Sequence, residues 1–408
     1  MKIVLFFPFE KYTNKKVVIT IYNDSLINLY SQATLNLELL SFYNDWKIRY
    51  LRALEDSSIL KEYLFYTLDQ PTYNNAVTCS EAMGYGMVIF PLMSKFDVSA
   101  KFHFTSIYNY IKSYPSIYNN SLMAWQQIKD SQGNIVNSEA ETSSATDGDM
   151  DISYGLLLAH KLWGETDKIN YKDEAVKRIN ALMDSCVNKR DYILTLGDWV
   201  LGIKDNNFKY VTRSSDFMVY HIREFIKFDT KNSDHWNLVI KTINFIISEQ
   251  MKRQSKYNGL MPDFFIRANG RYIAPKVKVL ETIHDGDYYF NSCRIPWRYS
   301  MDIILNEAPV PIELHTINNW IKKETSSNPE NIKSGYYLAN DYPGKPFGYT
   351  NDLSFIAPFL VSSLIENGND DWTISLWKTL TNKPITRFTF YENTLKLLAM
   401  IVATGNWH

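Results

Sequence analysis

Three acidic side chains, Asp147, Asp149 and Asp151, occupy alternate positions where an apolar helical segment begins. An acid near a helix N-terminus meets free backbone N–H groups and the positive end of the helix dipole, so capping explains one of the three. The other two carboxylates need solvent, a partner side chain or a substrate. The alternative is a solvated helix start that carries more acids than its cap requires.

A second candidate acid, Glu81, lies in the segment TCSEAMGYGM, ahead of Gly84 and Gly86. Two glycines in a helical pattern cost about 1 kcal/mol each relative to alanine. Close approach of the backbone to a ligand or to another helix would offset that cost. For Glu81 the alternative is an ordinary capping role in a first helical turn.

Arginine and aromatic residues provide the surroundings that an acidic site needs. In YFNSCRIPWR, Arg294 could brace buried carboxylates through bidentate hydrogen bonds. In LGDW, Asp198 stands beside Trp199, and TRSSDF adds another arginine and aspartate. Trp199 and Trp125 are candidate stacking platforms for sugar rings, although a tryptophan in the core is the commoner case.

Other catalytic patterns are absent from the sequence. The spacing of the three aspartates imitates a calcium loop, but Ile152 replaces the required glycine and Leu158 the bidentate glutamate. There is no H-E-x-x-H, paired C-x-x-C, G-x-S-x-G or phosphate-binding glycine loop, and the seven histidines are scattered singly. We therefore expect no metal and no cofactor, and carboxylates among aromatic rings favour glycoside hydrolysis.

Composition excludes two classes of partner. The net charge of −1 over 408 residues provides no basic field for a nucleic acid. The longest apolar runs fall well short of the ~20 residues that cross a bilayer, so we expect no membrane partner.

The start of the chain does not resemble a signal peptide, because Glu10 and Lys11 interrupt its apolar stretch. Three cysteines, Cys79, Cys186 and Cys293, do not suggest a disulfide framework.

Helical periodicity dominates the chain and predicts twelve helices in one domain spanning residues 1–408, because no linker divides the sequence. The predicted helices are 31–55, 79–94, 97–115, 148–163, 170–188, one from Ser214, Ser233–Lys252, 290–305, 311–324, 350–366, 371–380 and 387–403. Only short strands are expected, at Val17–Ile21 and Gly270–Ile273. Two long loops, Ile128–Ser144 and Tyr257–Tyr289, are the expected carriers of function. A closed double ring of helices and an irregular bundle both fit this pattern.

The segments TCSEAMGYGM, ATDGDMDISYGLLLAHKLW, LGDW, TRSSDF, CRIPWR and TGNW together resemble glycoside hydrolase family 8. They follow the family's order from about residue 77 to the end of the chain. The resemblance implies an all-α (α/α)6 barrel of twelve helices, with long loops forming a substrate cleft. It also implies an extracellular enzyme that hydrolyses polysaccharide with inversion at the anomeric carbon. We further expect a monomer.

The resemblance assigns roles to individual residues. Glu81 matches the general acid, and Asp147 matches the acid that binds and distorts the sugar ring at the cleavage subsite. The family's cellulase and xylanase branch has an aspartate base where this chain has Asn291, and an amide cannot accept that proton. The chitosanase-type branch has the asparagine and takes its base from a glutamate ten residues upstream, which here is Glu281. Inversion requires roughly 6.5–9.5 Å between the two carboxyl groups to admit a water molecule.

The sequence therefore predicts an endo-glycosidase for β-1,4-linked polysaccharide, with chitosan as the first substrate and β-1,3-1,4- or β-1,4-glucan as the alternative. A catalytically inactive carbohydrate-binding barrel is a further alternative. Substrate contacts are expected from Asp147, Asn291, Trp125, Asp198, Trp199, Tyr85 and Arg294. Because protonated chitosan is a polycation, additional carboxylates are expected along its subsites. The candidates are Asp149, Asp198, Asp216, Asp285 and Asp287.

Overall fold

The computed structural model describes residues 25–54, 59–69, 75–139, 142–165, 169–204, 207–338, 343–366 and 368–407, together with the backbone of two short strands. These residues contain fourteen α-helices. They are α1 (Ser25–Leu29), α2 (Gln32–Tyr50), α3 (Ser80–Met93), α4 (Ala100–Ser113), α5 (Thr146–Trp163), α6 (Tyr171–Ser185), α7 (Trp199–Gly202), α8 (Val219–Phe228), α9 (Ser233–Gln250), α10 (Ile295–Asn306), α11 (Ile312–Glu324), α12 (Leu353–Ser363), α13 (Asp370–Thr381) and α14 (Phe390–Ala403). Apart from the short α1 and α7, they correspond to the twelve predicted helices.

Six helices, α3, α5, α8, α10, α12 and α14, form an inner ring in which each contacts the next and α14 contacts α3. Each inner helix is backed by an outer one, namely α4, α6, α9, α11, α13 and α2 respectively. Helices α3, α5 and α12 are buried along nearly their whole length, whereas outer helices such as α4 bury one face. This arrangement confirms the (α/α)6 barrel. No helix in the described part of the chain combines the length and apolarity needed to cross a bilayer.

The strands are short and decorate the barrel. They are β1 (Ile3–Val4), β2 (Val18–Ile19), β3 (Leu51–Ala53), β4 (Glu62–Leu64), β5 (Ala76–Cys79), β6 (Gln126–Lys129), β7 (Ile135–Asn137), β8 (Val187–Asn188), β9 (Ile193–Leu194), β10 (Val211–Arg213), β11 (Phe264–Ala268) and β12 (Arg271–Ile273). Two antiparallel three-stranded sheets, β5–β6–β7 and β10–β11–β12, lead into the segments that carry candidate acids. The two strands predicted from sequence correspond to β2 and β12, and the two predicted loops also contain β7 and β11, which were not predicted.

Three helix boundaries differ from the prediction by about five residues, more than any other. The segment from Ser214 begins as a 3-10 turn, Ser214–Asp216, and the α-helix starts only at Val219. The segment 290–305 likewise begins with the 3-10 turn Ser292–Arg294 before α10. The helix predicted to reach residue 55 ends at Tyr50, where the chain turns into β3 to pair with β4. Periodicity alone does not separate the two 3-10 turns from the α-helices that follow them, because side-chain spacing is similar in the two kinds of helix.

Glycines bring α3 and α5 into unusually close contact. A Cβ atom on Gly84 would lie 2.8 Å from the Gly148 carbonyl oxygen, and one on Gly148 would lie 2.6 Å from the Ser80 carbonyl carbon. A Cβ atom on Gly155 would lie 2.5 Å from the Met87 carbonyl oxygen. Approach to a second helix therefore explains Gly84 of TCSEAMGYGM, whereas Gly86 faces the side chains of Leu64 and Ile107. Since Glu81 and Asp147 begin these two helices, the contact also fixes their separation.

We expect Gly148→Ala to destabilise the protein by about 1–3 kcal/mol or more, because the new methyl group meets the backbone of α3 and neither helix can yield. Gly86→Ala is the matched control, since its methyl group meets the flexible tip of Leu64 at 2.8 Å. In that control, the gain in helix propensity offsets part of the crowding. Urea unfolding of both variants measures the difference. Equal free energies of unfolding for the two variants would contradict the rigid contact.

Candidate active site

Both candidate catalytic glutamates line one cleft of about 760 Å³. The cleft wall also includes Asp147, Asn291 and Arg294. The remaining lining residues are Tyr66, Cys79, Ile117, Tyr118, Trp125, Glu139, Thr142, Ser143, Ser144, Ala145, Leu196, Trp199, Ile203, Arg213 and Leu280. The structure thus joins residues from distant parts of the chain in one carboxylate- and aromatic-lined groove.

Glu81 is fixed in the first turn of α3 by the strand that precedes it. Cys79, the last residue of β5, has extended backbone angles, and the Ser80 N–H donates to the Trp125 carbonyl oxygen at 2.8 Å. The Glu81 side chain is 22% exposed. Burial raises the pKa of Glu81 to about 7; Arg294 opposes this rise and the Asp147 carboxylate adds to it. Glu81 can therefore hold a proton at neutral pH.

Arg294 braces the acidic groups, as its sequence position suggested. Its Nη1 group donates to Glu81 Oε2, to the Tyr85 hydroxyl at 3.2 Å and to Asp147 Oδ2 at 3.4 Å. Its Nη2 group donates to Asn291 Oδ1 at 3.0 Å. The guanidinium is almost completely buried. One planar cation therefore sets the relative positions of four predicted site residues.

Glu281 lies at the rim of the same cleft, and each of its oxygens accepts a hydrogen bond. Asn291 Nδ2 donates to Oε2 at 2.8 Å, and Arg213 Nη2 donates to Oε1 at 2.9 Å. The side chain is 38% exposed, so solvent reaches it. Arg213 Nη1 also lies 4.0 Å from Asp147 Oδ1. Glu281 is thus linked to Glu81 through Asn291 and Arg294.

The loop that carries Glu281 is organised by Asp285. Its Oδ2 accepts the backbone N–H groups of Val279, Leu280 and Glu281 at 2.7, 2.7 and 3.1 Å. Its Oδ1 accepts the N–H of Thr282 at 2.7 Å. Because a carboxylate that accepts four backbone donors has little capacity left, Asp285 shapes the loop and does not reach a substrate.

Of the three alternating aspartates, only Asp147 lines the cleft. Asp149 accepts from the Arg178 guanidinium and the Met123 N–H, and burial raises its pKa to about 7. Asp151 accepts from Arg298 at 2.6 and 3.0 Å and from His221 Nε2 at 2.7 Å. Burial would raise the pKa of Asp151, but Arg298 and His221 lower it to about 2. The two extra acids found side-chain partners inside the barrel.

The aromatic and LGDW residues divide between the cleft and its supports. Trp125 and Trp199 are half-buried and line the cleft, where stacking on a sugar ring is possible. Tyr85 is buried and absent from the cleft lining, and its hydroxyl accepts from Arg294. Asp198 lies behind the wall, where its carboxylate accepts from the Ser116 hydroxyl at 2.6 Å and the Ser144 N–H at 2.8 Å. The structure therefore does not bring Asp198 to the cleft surface.

Two further residues contribute to the site although the sequence assigned them no role. Arg213, from TRSSDF, pairs with Glu281 and approaches Asp147. Asp263, which just precedes β11, lies beneath Asn291, and burial raises its pKa to about 7. Nearby, burial and the Asp147 carboxylate likewise raise the pKa of Asp216 to about 7. Asp263 belongs to no pattern in the sequence, so only the fold reveals it.

Within the described residues, no group of three or more histidine, cysteine, aspartate or glutamate side chains is arranged to hold a metal ion. The carboxylates of the cleft are instead separated by arginine and asparagine side chains. The arrangement is suited to proton transfer between carboxyl groups and a bound molecule.

Known proteins resemble this chain over nearly its whole length. The family model for glycosyl hydrolases family 8 matches residues 45–405. A β-glucanase from Niallia circulans is 37% identical over 381 residues, which cover 93% of this chain and 87% of the relative. An endoglucanase from a Bacillus species (strain KSM-330) is 32% identical over 93% of this chain and 78% of its own length.

Solved structures agree in fold. A β-1,3-1,4-glucanase from Paenibacillus sp. X4 superimposes with a TM-score of 0.84 at 36% identity, covering 93% of this chain and 94% of that one. A xylose complex of Rex8A from Paenibacillus barcinonensis gives a TM-score of 0.73 at 18% identity, a likeness of fold alone. Family match, close relatives and barrel agree with the carboxylate-lined cleft: this chain is a glycoside hydrolase and belongs to family 8.

Proposed function

We propose that the protein is an inverting endo-β-glucanase that cleaves mixed β-1,3-1,4-glucan, with Glu81 as general acid and Glu281 as general base. The observation that carries the proposal is the convergence of these two glutamates on one cleft, joined through Arg294 and Asn291. The nature of the similar proteins, a β-glucanase and a β-1,3-1,4-glucanase, supports the glucan substrate.

In the first part of the reaction, Glu81 donates its proton to the glycosidic oxygen as the bond to the anomeric carbon breaks. A raised pKa keeps that proton available at neutral pH. As Glu81 becomes anionic, the adjacent Arg294 guanidinium stabilises the new charge. Asp147, held by the same arginine, is available to bind hydroxyl groups of the sugar ring at the point of cleavage.

On the other side of the ring, Glu281 accepts a proton from the water molecule that attacks the anomeric carbon. Its hydrogen bonds from Arg213 and Asn291 fix the direction of the carboxylate. Its partial exposure gives water a route to the base. Attack opposite the departing oxygen inverts the anomeric centre, so a β-linked substrate gives an α product.

The positions of the acids favour a neutral glucan over cationic chitosan. The five acids expected along chitosan subsites are all buried, and each carboxylate accepts at least one hydrogen bond from another group of the protein. They are Asp149, Asp198, Asp216, Asp285 and Asp287. Besides Glu81, Asp147 and Glu281, the described residues that line the cleft include one other acid, Glu139. We therefore reverse the order that the sequence suggested. Chitosan remains the second candidate, because the Asn291–Glu281 pair at 2.8 Å fits the chitosanase-type resemblance.

Reducing-sugar release from barley β-glucan, carboxymethylcellulose and chitosan, measured side by side at two salt concentrations, tests the substrate. We expect the highest kcat/KM on barley β-glucan and little effect of salt. Preferred, salt-sensitive cleavage of chitosan would reverse the assignment, and binding without product release would indicate an inactive barrel. Proton NMR of the first product tests inversion through the appearance of the α anomer. We further propose that the enzyme acts outside the cell as a monomer, and light scattering tests the latter.

The raised pKa of Glu81 has a direct consequence for the pH dependence of activity. Because the acid must be protonated to act, kcat should fall above pH 7, by about tenfold per pH unit once Glu81 is largely ionised. Initial rates on β-glucan between pH 5 and 9 measure this fall. As a control, an aryl glycoside with a dinitrophenolate leaving group needs little protonation and should lose this alkaline fall. A rate on β-glucan that stays constant to pH 9 would contradict the role of Glu81.

A further inference from the structure

Asp263 lies at the junction of three segments that carry site residues. Its backbone carbonyl accepts the Ser214 N–H at 3.0 Å, directly after Arg213 at the end of β10. Its own N–H donates to the Asp287 carbonyl at 2.9 Å, in the region that follows the Glu281 loop. Its side chain faces the third segment, which holds Asn291. The residue is 2% exposed, so solvent does not compete for these contacts.

The Asp263 carboxylate accepts five hydrogen bonds. Oδ1 accepts the N–H groups of Tyr289 and Ser292 at 3.0 and 2.8 Å and the Ser292 hydroxyl at 2.7 Å. Oδ2 accepts the Asn291 N–H at 3.1 Å and the Asn291 side-chain amide at 3.3 Å. Capping of the 3-10 turn explains the backbone donors. It does not explain why the carboxylate also holds a side-chain amide.

That last contact determines how the Asn291 amide is oriented. Nδ2 lies between Asp263 Oδ2 and Glu281 Oε2, whereas Oδ1 faces Arg294 Nη2. The reversed amide would place its oxygen against two carboxylates and its NH₂ group against a guanidinium. Since every neighbour opposes that reversal, the amide has one acceptable orientation. In that orientation it donates to Glu281.

We propose that Asp263 is a positioning residue for hydrolysis, which fixes the Asn291 amide and through it aligns Glu281 with the attacking water. This inference rests on the proposed function, because it assumes that Glu281 is the base. Asp263 does not line the cleft and acts through its neighbour. A capping role alone would stabilise the turn without affecting the chemical step.

The test is Asp263→Asn in the full chain, which presents an NH₂ group or a weaker acceptor to Asn291. We expect kcat to fall about 10- to 100-fold, as for a misaligned catalytic group. KM should stay within about threefold, because Asp263 does not line the cleft. The loss should be the same on β-glucan and on the dinitrophenyl glycoside, since the water side of the reaction does not depend on the leaving group.

Two further variants separate positioning from folding. Asn291→Ala keeps the backbone N–H groups that donate to Asp263, and it should give a similar loss of kcat. This variant tests the proposal even if Asp263→Asn does not fold. Asp352→Asn is the matched control: Asp352 is a buried aspartate that caps α12 through the Ser354 N–H at 2.9 Å, and it lies outside the cleft lining. Its substitution should leave kcat unchanged, because asparagine caps equally well.

A folded Asp263→Asn protein with wild-type kcat would overturn the proposal, as would a loss confined to KM. Wild-type kcat in Asn291→Ala would do the same, since the route to Glu281 would not exist. Failure of the proposed function has a different signature. In that case Glu281→Gln itself would keep near-wild-type activity, whatever the Asp263 variant does.

Discussion

Glu81→Gln is expected to lower kcat on β-glucan by about 10³- to 10⁴-fold, because glutamine keeps the shape of the side chain but has no proton to give. The loss should be much smaller on a dinitrophenyl β-glycoside, whose leaving group departs without protonation. Rates on the two substrates measure the difference. The fold should survive, since Arg294 retains Asp147, Asn291 and Tyr85 as acceptors.

Thermal melting of the Glu81→Gln protein is the control for its structure. If the loss were equally large on both substrates, Glu81 would be needed for something other than protonating the glycosidic oxygen. If activity on β-glucan stayed near that of the wild type, the general acid would be a different residue. The cleft would then have to provide it from Asp147, Glu139 or Glu281.

Glu281→Gln should also lower kcat by about 10³-fold, but by the same factor on both substrates. Glutamine cannot accept the proton of the attacking water, and an easier leaving group does not change that. Because the Glu281 side chain is partly exposed at the cleft, a small anion can reach its position, and the variant can be tested by chemical rescue. In Glu281→Ala, azide can occupy the space of the carboxylate and water, and it attacks without losing a proton.

We therefore expect sodium azide to restore part of the activity of Glu281→Ala on the dinitrophenyl glycoside and to form an α-glycosyl azide, identified by NMR. The wild-type protein is the control, and azide should not accelerate it. A β-glycosyl azide would indicate attack from the other face and would contradict inversion. Near-wild-type activity in Glu281→Gln would remove Glu281 from the mechanism.

The helices could be predicted from their periodicity, whereas the barrel was implied by the family resemblance, because periodicity alone also fits an irregular bundle. Apolar residues at helical spacing run through the long helices, and the inner helices α3 and α12 are apolar and buried along nearly their whole length. Helix ends were less predictable where hydrogen bonds decide them. The 3-10 turn at Ser292–Arg294 depends on Asp263, a residue 29 positions before Ser292. No local pattern in the sequence carries such information.

The candidate site was predictable to the extent that its residues stand in recognisable segments. Glu81, Asp147 and Arg294 belong to such segments, and they meet in the structure. The partners of Asp149 and Asp151 were not predictable, because Arg178, Arg298 and His221 lie far along the chain. Alternating acids looked alike in sequence, yet two of them turned inward to neutralise buried cations. The electrostatic role of an aspartate therefore depends on the fold around it.

The two glutamates rest on parts of the protein that differ in how firmly they are built. Glu81 lies in the first turn of α3, which packs closely against α5 through glycines. Glu281 lies in a surface turn whose backbone N–H groups donate to the single side chain of Asp285. Local opening of such a turn costs less than opening of the barrel. On warming, the enzyme should therefore lose activity at a temperature at which its barrel is still folded. The turn that carries Glu281 could also be replaced in evolution, and the general base with it, without a change in the helices of the barrel.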